Sequence, residues 1–302
     1  MIIRTVLGDI PPSTAGVTYA HEHFIIDSPL VAERWPQISL PSVEEAVAEL
    51  SLCAVAGVGT VVDTMPLGSG GDPRKLSAVS TATGVHIVAA TGMHTLKYYE
   101  GLPWVNDPTE ALAARFISDI QGTAPRCGII KLATSGELPT DWEKRLFEAG
   151  VEAHQHTGAP IITHCEEGKG GISQIELLTG LGVDTAKLIL SHTDKVLDTS
   201  YHRDLLATGV NLVYDQALRQ VDGPPTTASL ISTMWSDGFG DQILLGTDGA
   251  RRSLWASLGG SPGLAWLAEE LPTVLGGHGV GARRVEAMLV VNPARALAFD
   301  PV

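Results

Sequence analysis

The feature that most constrains the fold is a repeating pattern of short apolar segments, each followed by a segment with helical spacing. Short runs rich in Val, Ile and Leu are typical of strands buried in a parallel sheet. The first long helical segment, 43–56, follows Ser42, which is a favourable residue at a helix start. Eight such units predict one (β/α)8 TIM barrel domain over residues 1–302 rather than an open doubly wound sheet. We expect the strands at 17–19, 60–63, 85–91, 127–132, 160–164, 187–192, 209–214 and 242–247, and the helices at 43–56, 73–82, 110–120, 142–156, 172–181, 201–207, 226–237, 263–271 and 282–290.

Charge and cysteine content narrow the classes of partner. The net charge of −14 argues against nucleic acids and anionic membrane surfaces, because both require a basic face. Cys53, Cys127 and Cys165 are far apart, so neither a disulfide framework nor a structural zinc knuckle is indicated. There is no signal-peptide pattern and no apolar run of about 18 residues. We therefore expect a cytoplasmic enzyme that acts on a small molecule.

A His-x-His motif, His21 and His23, stands at the end of the first predicted strand. Alternating strand residues face opposite sides, so the two imidazoles should project together while Glu22 points away. Neutral imidazole is a common metal ligand. Two histidines on a polar strand end can also have no function, so the motif indicates a metal site only if other strands supply further ligands.

Several other predicted strands also end in a residue with ligand chemistry. Each has an ordinary explanation, such as a loop histidine or a helix cap. In a barrel, however, the C-terminal strand ends converge on one mouth, which is where barrel enzymes hold their active sites. The residues at these ends are His21, His23, Asp63, Lys131, His164, His192 and Asp248.

The ligand set suits two metal ions better than one. Four histidines and Asp248 are too many for a tetrahedral zinc that keeps an open position, but they suit two ions about 4 Å apart joined by an anionic bridge. Lys131 cannot be a ligand as an ammonium. Beside cations it would be neutral and could react with carbon dioxide to give a carbamate, which would supply the bridge. A solvated or salt-bridged lysine is the alternative. Zinc, manganese, cobalt and iron all suit such ligands.

In order along the chain, these motifs resemble the phosphotriesterase family of the amidohydrolase superfamily. The resemblance implies a binuclear hydrolase in which carboxylated Lys131 and a hydroxide bridge the metals, and in which Asp248 is both ligand and proton acceptor. It also suggests a homodimer. His21, His23 and Asp248 would hold the more buried ion, and His164 and His192 the more exposed one. The motifs are Gly16-Val-Thr-Tyr-Ala-His-Glu-His, Val62-Asp63, Ala90-Thr-Gly, Ile130-Lys131, Ile162-Thr-His164, Leu190-Ser-His192 and Gly246-Thr-Asp248.

Outside the metal ligands, the sequence resembles one branch of the family more than another. Family lactonases acting on long-acyl homoserine lactones tend to have tyrosine after Thr-Gly, where this chain has Met93-His94, and Asp-Arg where it has Asp215-Gln216. The segment after Asp248 is more similar to the branch that opens phosphorylated furanose lactones. We expect three residues to contact substrate, with ordinary surface charge as the alternative for the arginines: Arg251, Arg219 and His94.

The sequence thus predicts a metal-dependent hydrolase, with a sugar-type lactone that can carry phosphate as the favoured substrate. A phosphotriesterase or another carboxylester hydrolase is the nearest alternative. A mononuclear deaminase would also begin with His-x-His and could use Glu166 as its acid, but it would not need Lys131. A non-catalytic binding barrel is the alternative from another class.

Overall fold

Eight parallel strands form a barrel in the computed structural model, which describes residues 1–302. Neighbours in sequence are neighbours in the sheet, as expected for consecutive strand–helix units. The predicted barrel class is therefore confirmed. The strands are Val17–Glu22 (β1), Val58–Asp63 (β2), His86–Gly92 (β3), Ile129–Thr134 (β4), Ile161–Cys165 (β5), Leu188–Ser191 (β6), Asn211–Tyr214 (β7) and Ile243–Leu245 (β8).

The barrel closes where the chain leaving β8 meets β1. The amides of Thr247 and Asp248 point to the carbonyl oxygen of His21, at 3.3 and 3.1 Å. Gly246 makes this approach feasible, because a Cβ there would lie 2.8 Å from the same oxygen. The closure places Asp248 directly beside the His-x-His motif.

Helices cover the outside of the barrel and follow each strand, as predicted. Ser42 accepts a hydrogen bond from the amide of Glu45 and so caps the second helix. Thr140 and Glu143 form a reciprocal capping box at the longest helix. No helix combines the length and apolarity needed to cross a membrane. The α-helices are Pro29–Arg34 (α1), Val43–Val55 (α2), Pro73–Thr83 (α3), Thr109–Gln121 (α4), Asp141–Thr157 (α5), Gly171–Gly180 (α6), Thr199–Ala207 (α7), Thr226–Ser236 (α8), Trp266–Glu269 (α9), Leu271–Gly277 (α10), Ala282–Glu286 (α11) and Asn292–Ala296 (α12).

The structure differs from the sequence expectation mainly at the two ends of the chain. An antiparallel hairpin, Ile3–Thr5 with Gly8–Ile10, precedes the barrel and was not predicted. The predicted helix 263–271 is divided into α9 and α10, because Pro272 cannot continue an existing helix but is tolerated in the first turn of a new one. The predicted helix 282–290 is α11 followed by a π-helical turn, Ala287–Val291.

The interior of the barrel has an apolar floor beneath a polar layer. Every strand contributes a buried apolar side chain to the floor, including Ile129 on β4, Ile162 on β5 and Val213 on β7. Because side chains alternate along a strand, the residues two positions further also face inward. The apolar floor therefore supports a layer that contains Lys131, His164 and Asp215.

Candidate metal centre

A cavity of about 350 Å³ opens at the C-terminal ends of the strands. It brings together, from separate strand ends, all the predicted ligands except Lys131, which lies fully buried on β4. The three predicted substrate-binding residues lie there too. The predicted site residues in its wall are His21, His23, His94, His164, His192, Arg219, Asp248 and Arg251.

One group of potential ligands consists of His21, His23 and Asp248, whose ligand atoms all lie within 4.8 Å of one another. Nε2 of His23 is 3.4 Å from Oδ1 of Asp248. Burial lowers the pKa of His21 well below its usual value, so its imidazole is neutral and offers a lone pair. Burial opposes ionisation of Asp248, but nearby Arg219 and His192 outweigh it and hold its pKa well below the usual range. Two imidazoles and one carboxylate suit a divalent cation.

A second group contains His164 and His192, whose ring centroids are 4.6 Å apart. The His192 ring is also 4.7 Å from that of His21, so the two groups adjoin. Burial lowers the pKa of His164 to about 3. The His164 imidazole is therefore ready to ligate without losing a proton, and two adjoining groups fit two metal positions.

Asp215 lies against two of these histidines and is hydrogen-bonded to His192, and it was not recognised as a site residue from the sequence. Its Oδ2 is 2.9 Å from Nδ1 of His192 and 3.0 Å from Nδ1 of His21. A carboxylate on one imidazole nitrogen fixes the tautomer and leaves the other nitrogen for a metal. Its position in the sequence could have identified it. Asp215 lies two residues after the inward-facing Val213, just as Lys131 lies two residues after the inward-facing Ile129.

Lys131 contributes a buried amine without a partner to the site. Its side chain is fully buried, and Nζ has no hydrogen-bond partner. Burial lowers the pKa of Lys131 to about 8, although Asp248 and Asp215 partly counteract it. A buried polar atom without a partner is costly and usually has a functional reason. The orphaned amine beside two ligand groups fits a binuclear site whose bridge forms on this lysine.

The two arginines have different environments. Arg219 donates from Nη1 to the carbonyl oxygen of Thr247 at 2.8 Å and from Nη2 to Oδ2 of Asp248 at 2.9 Å. Its guanidinium thus holds Asp248, whose φ of 46° lies in the left-handed region. Arg251 is exposed at the cavity, and its side chain forms no hydrogen bond or ion pair within the protein. Lys195, which sequence reasoning missed, is exposed in the same wall and is likewise unpaired.

His94 and Asp63 also occupy defined positions near the cavity. Nδ1 of His94 accepts a hydrogen bond from the amide of Thr95 at 2.7 Å, so the proton of the neutral ring lies on Nε2. Asp63 lies outside the cavity wall. It accepts hydrogen bonds from the amides of Phe24 at 2.7 Å and Met65 at 3.1 Å. Asp63 thereby fixes the chain just beyond His23.

Comparisons with known proteins agree with this geometry. The model of the phosphotriesterase family matches residues 1–297. A phospho-furanose lactonase from Mycoplasmopsis synoviae is 28% identical over 323 residues, which cover 98% of this chain and 92% of that protein. An aryldialkylphosphatase from Saccharolobus solfataricus is 31% identical over 247 residues, covering 77% and 76%. The solved structure of a lactonase from Listeria monocytogenes superposes with a TM-score of 0.93 at 28% identity, covering 99% of this chain and all of that one (100%).

Proposed function

The chain belongs to the phosphotriesterase family and is a hydrolase, and from that premise we propose that it opens a sugar-type lactone carrying a phosphate group. The observation that carries the proposal is the cavity itself, where histidines and an ionised aspartate share the wall with two unpaired cationic side chains and adjoin a buried lysine that has no partner. Relatives named as phospho-furanose lactonases support the choice of substrate class.

We assign the cofactor as two divalent metal ions, with zinc preferred and manganese, cobalt or iron compatible with the same ligands. The His21 group would hold the more buried ion, and the His164 group the more exposed one. When bound, the pair would polarise the ester carbonyl and supply a nucleophile from water near neutral pH. The proposed protein ligands are His21, His23, His164, His192, Asp248 and carboxylated Lys131.

The lowered pKa of Lys131 supports its carboxylation. At pH 7 an amine with a pKa of about 8 is neutral in roughly one molecule in ten, whereas an ordinary lysine is neutral in about one in three thousand. The neutral amine adds to carbon dioxide, forming an N–C bond and releasing one proton. The product is a carboxylate on a long stem, which can bridge two cations as an amine cannot.

The chain's own residues then handle the proton and the substrate. Asp248 takes the proton that the attacking water loses, because it is ionised and lies at the centre of the site. Arg219 fixes the orientation of that carboxylate through Oδ2. His94 can donate from Nε2 to a substrate oxygen at the cavity wall.

Phosphate recognition is assigned to Arg251 and Lys195. Both are unpaired cations in the cavity wall of a protein with a net charge of −14, so they form a local exception to its acidic surface. Arginine can bind phosphate through two parallel hydrogen bonds, and lysine acts as a point charge. Arg219 was also predicted to contact substrate, but its contacts with Asp248 favour a positioning role instead.

Phosphotriester hydrolysis is the second candidate activity. The aryldialkylphosphatase relative is 31% identical, and attack at phosphorus also needs a metal-activated nucleophile. We place it as a slower side reaction, because the unpaired cations at the rim suit an anionic substrate better than a neutral triester.

The proposal is tested by metal analysis and a substrate panel. Purified protein should contain two divalent ions per chain and should hydrolyse phosphorylated furanose lactones faster than their unphosphorylated counterparts, with a paraoxon-type triester slowest. One ion per chain would favour the mononuclear deaminase, and none would favour the binding barrel. A preference for unphosphorylated lactones would leave a lactonase but remove the role given to Arg251 and Lys195.

A further inference from the structure

Glu166 lies behind one of the histidines of the site and has no role in the function proposed above. Its Oε2 is 2.7 Å from Nε2 of His164, and its Oε1 is 3.9 Å from Nζ of Lys97. The residue begins the turn Glu166–Gly168 that follows β5. A carboxyl oxygen is therefore fixed against one nitrogen of this imidazole.

Glu166 contacts His164 from outside the wall of the metal cavity. His164 lines that cavity, whereas Glu166 does not and instead lines a separate cavity of about 280 Å³ together with Lys97, Ser135 and Trp142. A group placed there can reach the back of the ring. It is not in the wall that would face a substrate at the metals.

The same arrangement occurs at His192 with the nitrogens exchanged. Nδ1 of His192 is hydrogen-bonded to Asp215, which leaves Nε2 of the same ring available to bind a metal. At His164, Nε2 is hydrogen-bonded to Glu166, which leaves Nδ1 available to bind a metal. A neutral imidazole that donates its one N–H to a carboxylate must present the lone pair on its other nitrogen. Both histidines of the second group thus have a carboxylate behind them.

We propose that Glu166 is a positioning residue that holds His164 as the Nε2–H tautomer, with Nδ1 directed at the more exposed metal position. The inference rests on the proposed metal site but adds a residue and a nitrogen assignment to it. Lys97, from the loop after β3, helps to hold the carboxylate, although an exposed pair of this length contributes little by itself. Glu166 acts through His164, so its loss should weaken the second metal ion and leave the first unchanged.

Two substitutions separate positioning from proton transfer. Glu166→Gln keeps an oxygen that can accept the Nε2–H bond but cannot carry a proton at neutral pH. Glu166→Ala removes both capabilities. Glu148→Ala is the matched control, because Glu148 is exposed on α5 and its replacement removes the same charge. Metal-free protein would be titrated with Zn²⁺ against a competing chelator, and the tautomer of His164 would be read from ¹⁵N shifts of labelled imidazoles.

The metal-free parent should show His164 as the Nε2–H tautomer. Outer carboxylate partners typically change metal affinity by 10–100-fold, so Glu166→Ala should weaken the second Zn²⁺ by about that factor. Glu166→Gln should stay within about threefold of the parent, and Glu148→Ala should match it. Excess Zn²⁺ should restore most of kcat in Glu166→Ala, because a positioning defect is overcome once the metal is bound.

Three results would overturn the inference: an Nδ1–H tautomer in the parent, parental Zn²⁺ affinity in Glu166→Ala, or equal losses in the Ala and Gln variants. The last would indicate that Glu166 transfers a proton or acts by charge alone. A parent that binds no Zn²⁺ would remove the proposed metal function, and with it this role of Glu166. A parent with two ions and an unaffected Glu166→Ala would remove only the inference about Glu166.

Discussion

Replacing Lys131 with methionine should make the metal-free protein more stable while abolishing its ability to hold two metals. The Lys131 side chain is fully buried and Nζ has no partner, so without metal and bridge the site contains an uncompensated amine. Methionine has a similar unbranched stem and no charge. It should occupy the same space on the inner face of β4 without requiring a hydrogen bond.

The size of the effect follows from the pKa of Lys131. Burial lowers it from 10.5 to about 8, which corresponds to roughly 3 kcal/mol of unfavourable free energy when the amine must be protonated. Between pH 8 and 10.5 the unfolded chain binds more protons at this residue than the folded chain does. The contribution of Lys131 to stability therefore rises with pH across this window, and its penalty is complete below pH 8.

Urea unfolding of chelator-treated protein in buffers free of carbon dioxide would measure this difference. Lys131→Met should be more stable than the parent by about 3 kcal/mol at pH 7, and the advantage should fall towards zero as the pH approaches 10.5. Titrating groups that do not interact with Lys131 are common to both proteins and cancel in the comparison. Lys144→Met provides a control, because Lys144 is half-exposed on the surface of α5 and should show no such pH-dependent gain.

Lower stability of Lys131→Met than of the parent at pH 7 would contradict this prediction. A stability difference that does not change with pH would contradict it as well. Adding Zn²⁺ and bicarbonate supplies the complementary result. The parent should then gain stability by mass action, because both bind the folded state, and the variant should gain much less. Equal stabilisation of both proteins would show that Lys131 does not complete the site.

Three further substitutions test the remaining roles. Asp248→Asn should lower kcat by about 100-fold or more in steady-state assays, because the carboxylate acts in the transition state; a rise in KM alone would contradict this. Arg251→Ala should reduce kcat/KM for a phosphorylated lactone by about ten- to a hundredfold and spare unphosphorylated lactones, whereas equal losses on both would rule out a phosphate contact. Arg219→Gln should lower kcat on both kinds of lactone to a similar extent, because the arginine holds Asp248; a loss confined to phosphorylated substrate would return Arg219 to the phosphate-binding role.

Much of the fold and the candidate ligand set could be predicted from the sequence, because both depend on local periodicity. Alternation along a buried strand places Lys131 two residues beyond Ile129 and His164 two residues beyond Ile162, on the same inward face. Parallel strands in consecutive order then bring such residues to one end of the barrel. The layer above the apolar floor contains Lys131 and His164 for this reason.

The first strand shows where local periodicity was insufficient. Tyr19 faces the helices and Ala20 faces the apolar floor, so strict alternation would turn His21 outward. The pairing register between β1 and β2 shifts between Tyr19 and Glu22, and His21 faces the cavity as a result. Such an irregularity depends on the partner strand, which the motif itself does not contain.

Tertiary structure alone also decided what the long polar side chains contact. Arg219 has a sequence position compatible with binding phosphate, but the folded chain surrounds its guanidinium with the Thr247 carbonyl and the Asp248 carboxylate. The contacts of Asp215 and Glu166 are set by the folded chain, which brings histidine nitrogens within 3.0 Å of their oxygens. Backbone periodicity fixes which face a residue occupies, whereas the direction of a flexible side chain is set by hydrogen-bond partners distant in sequence.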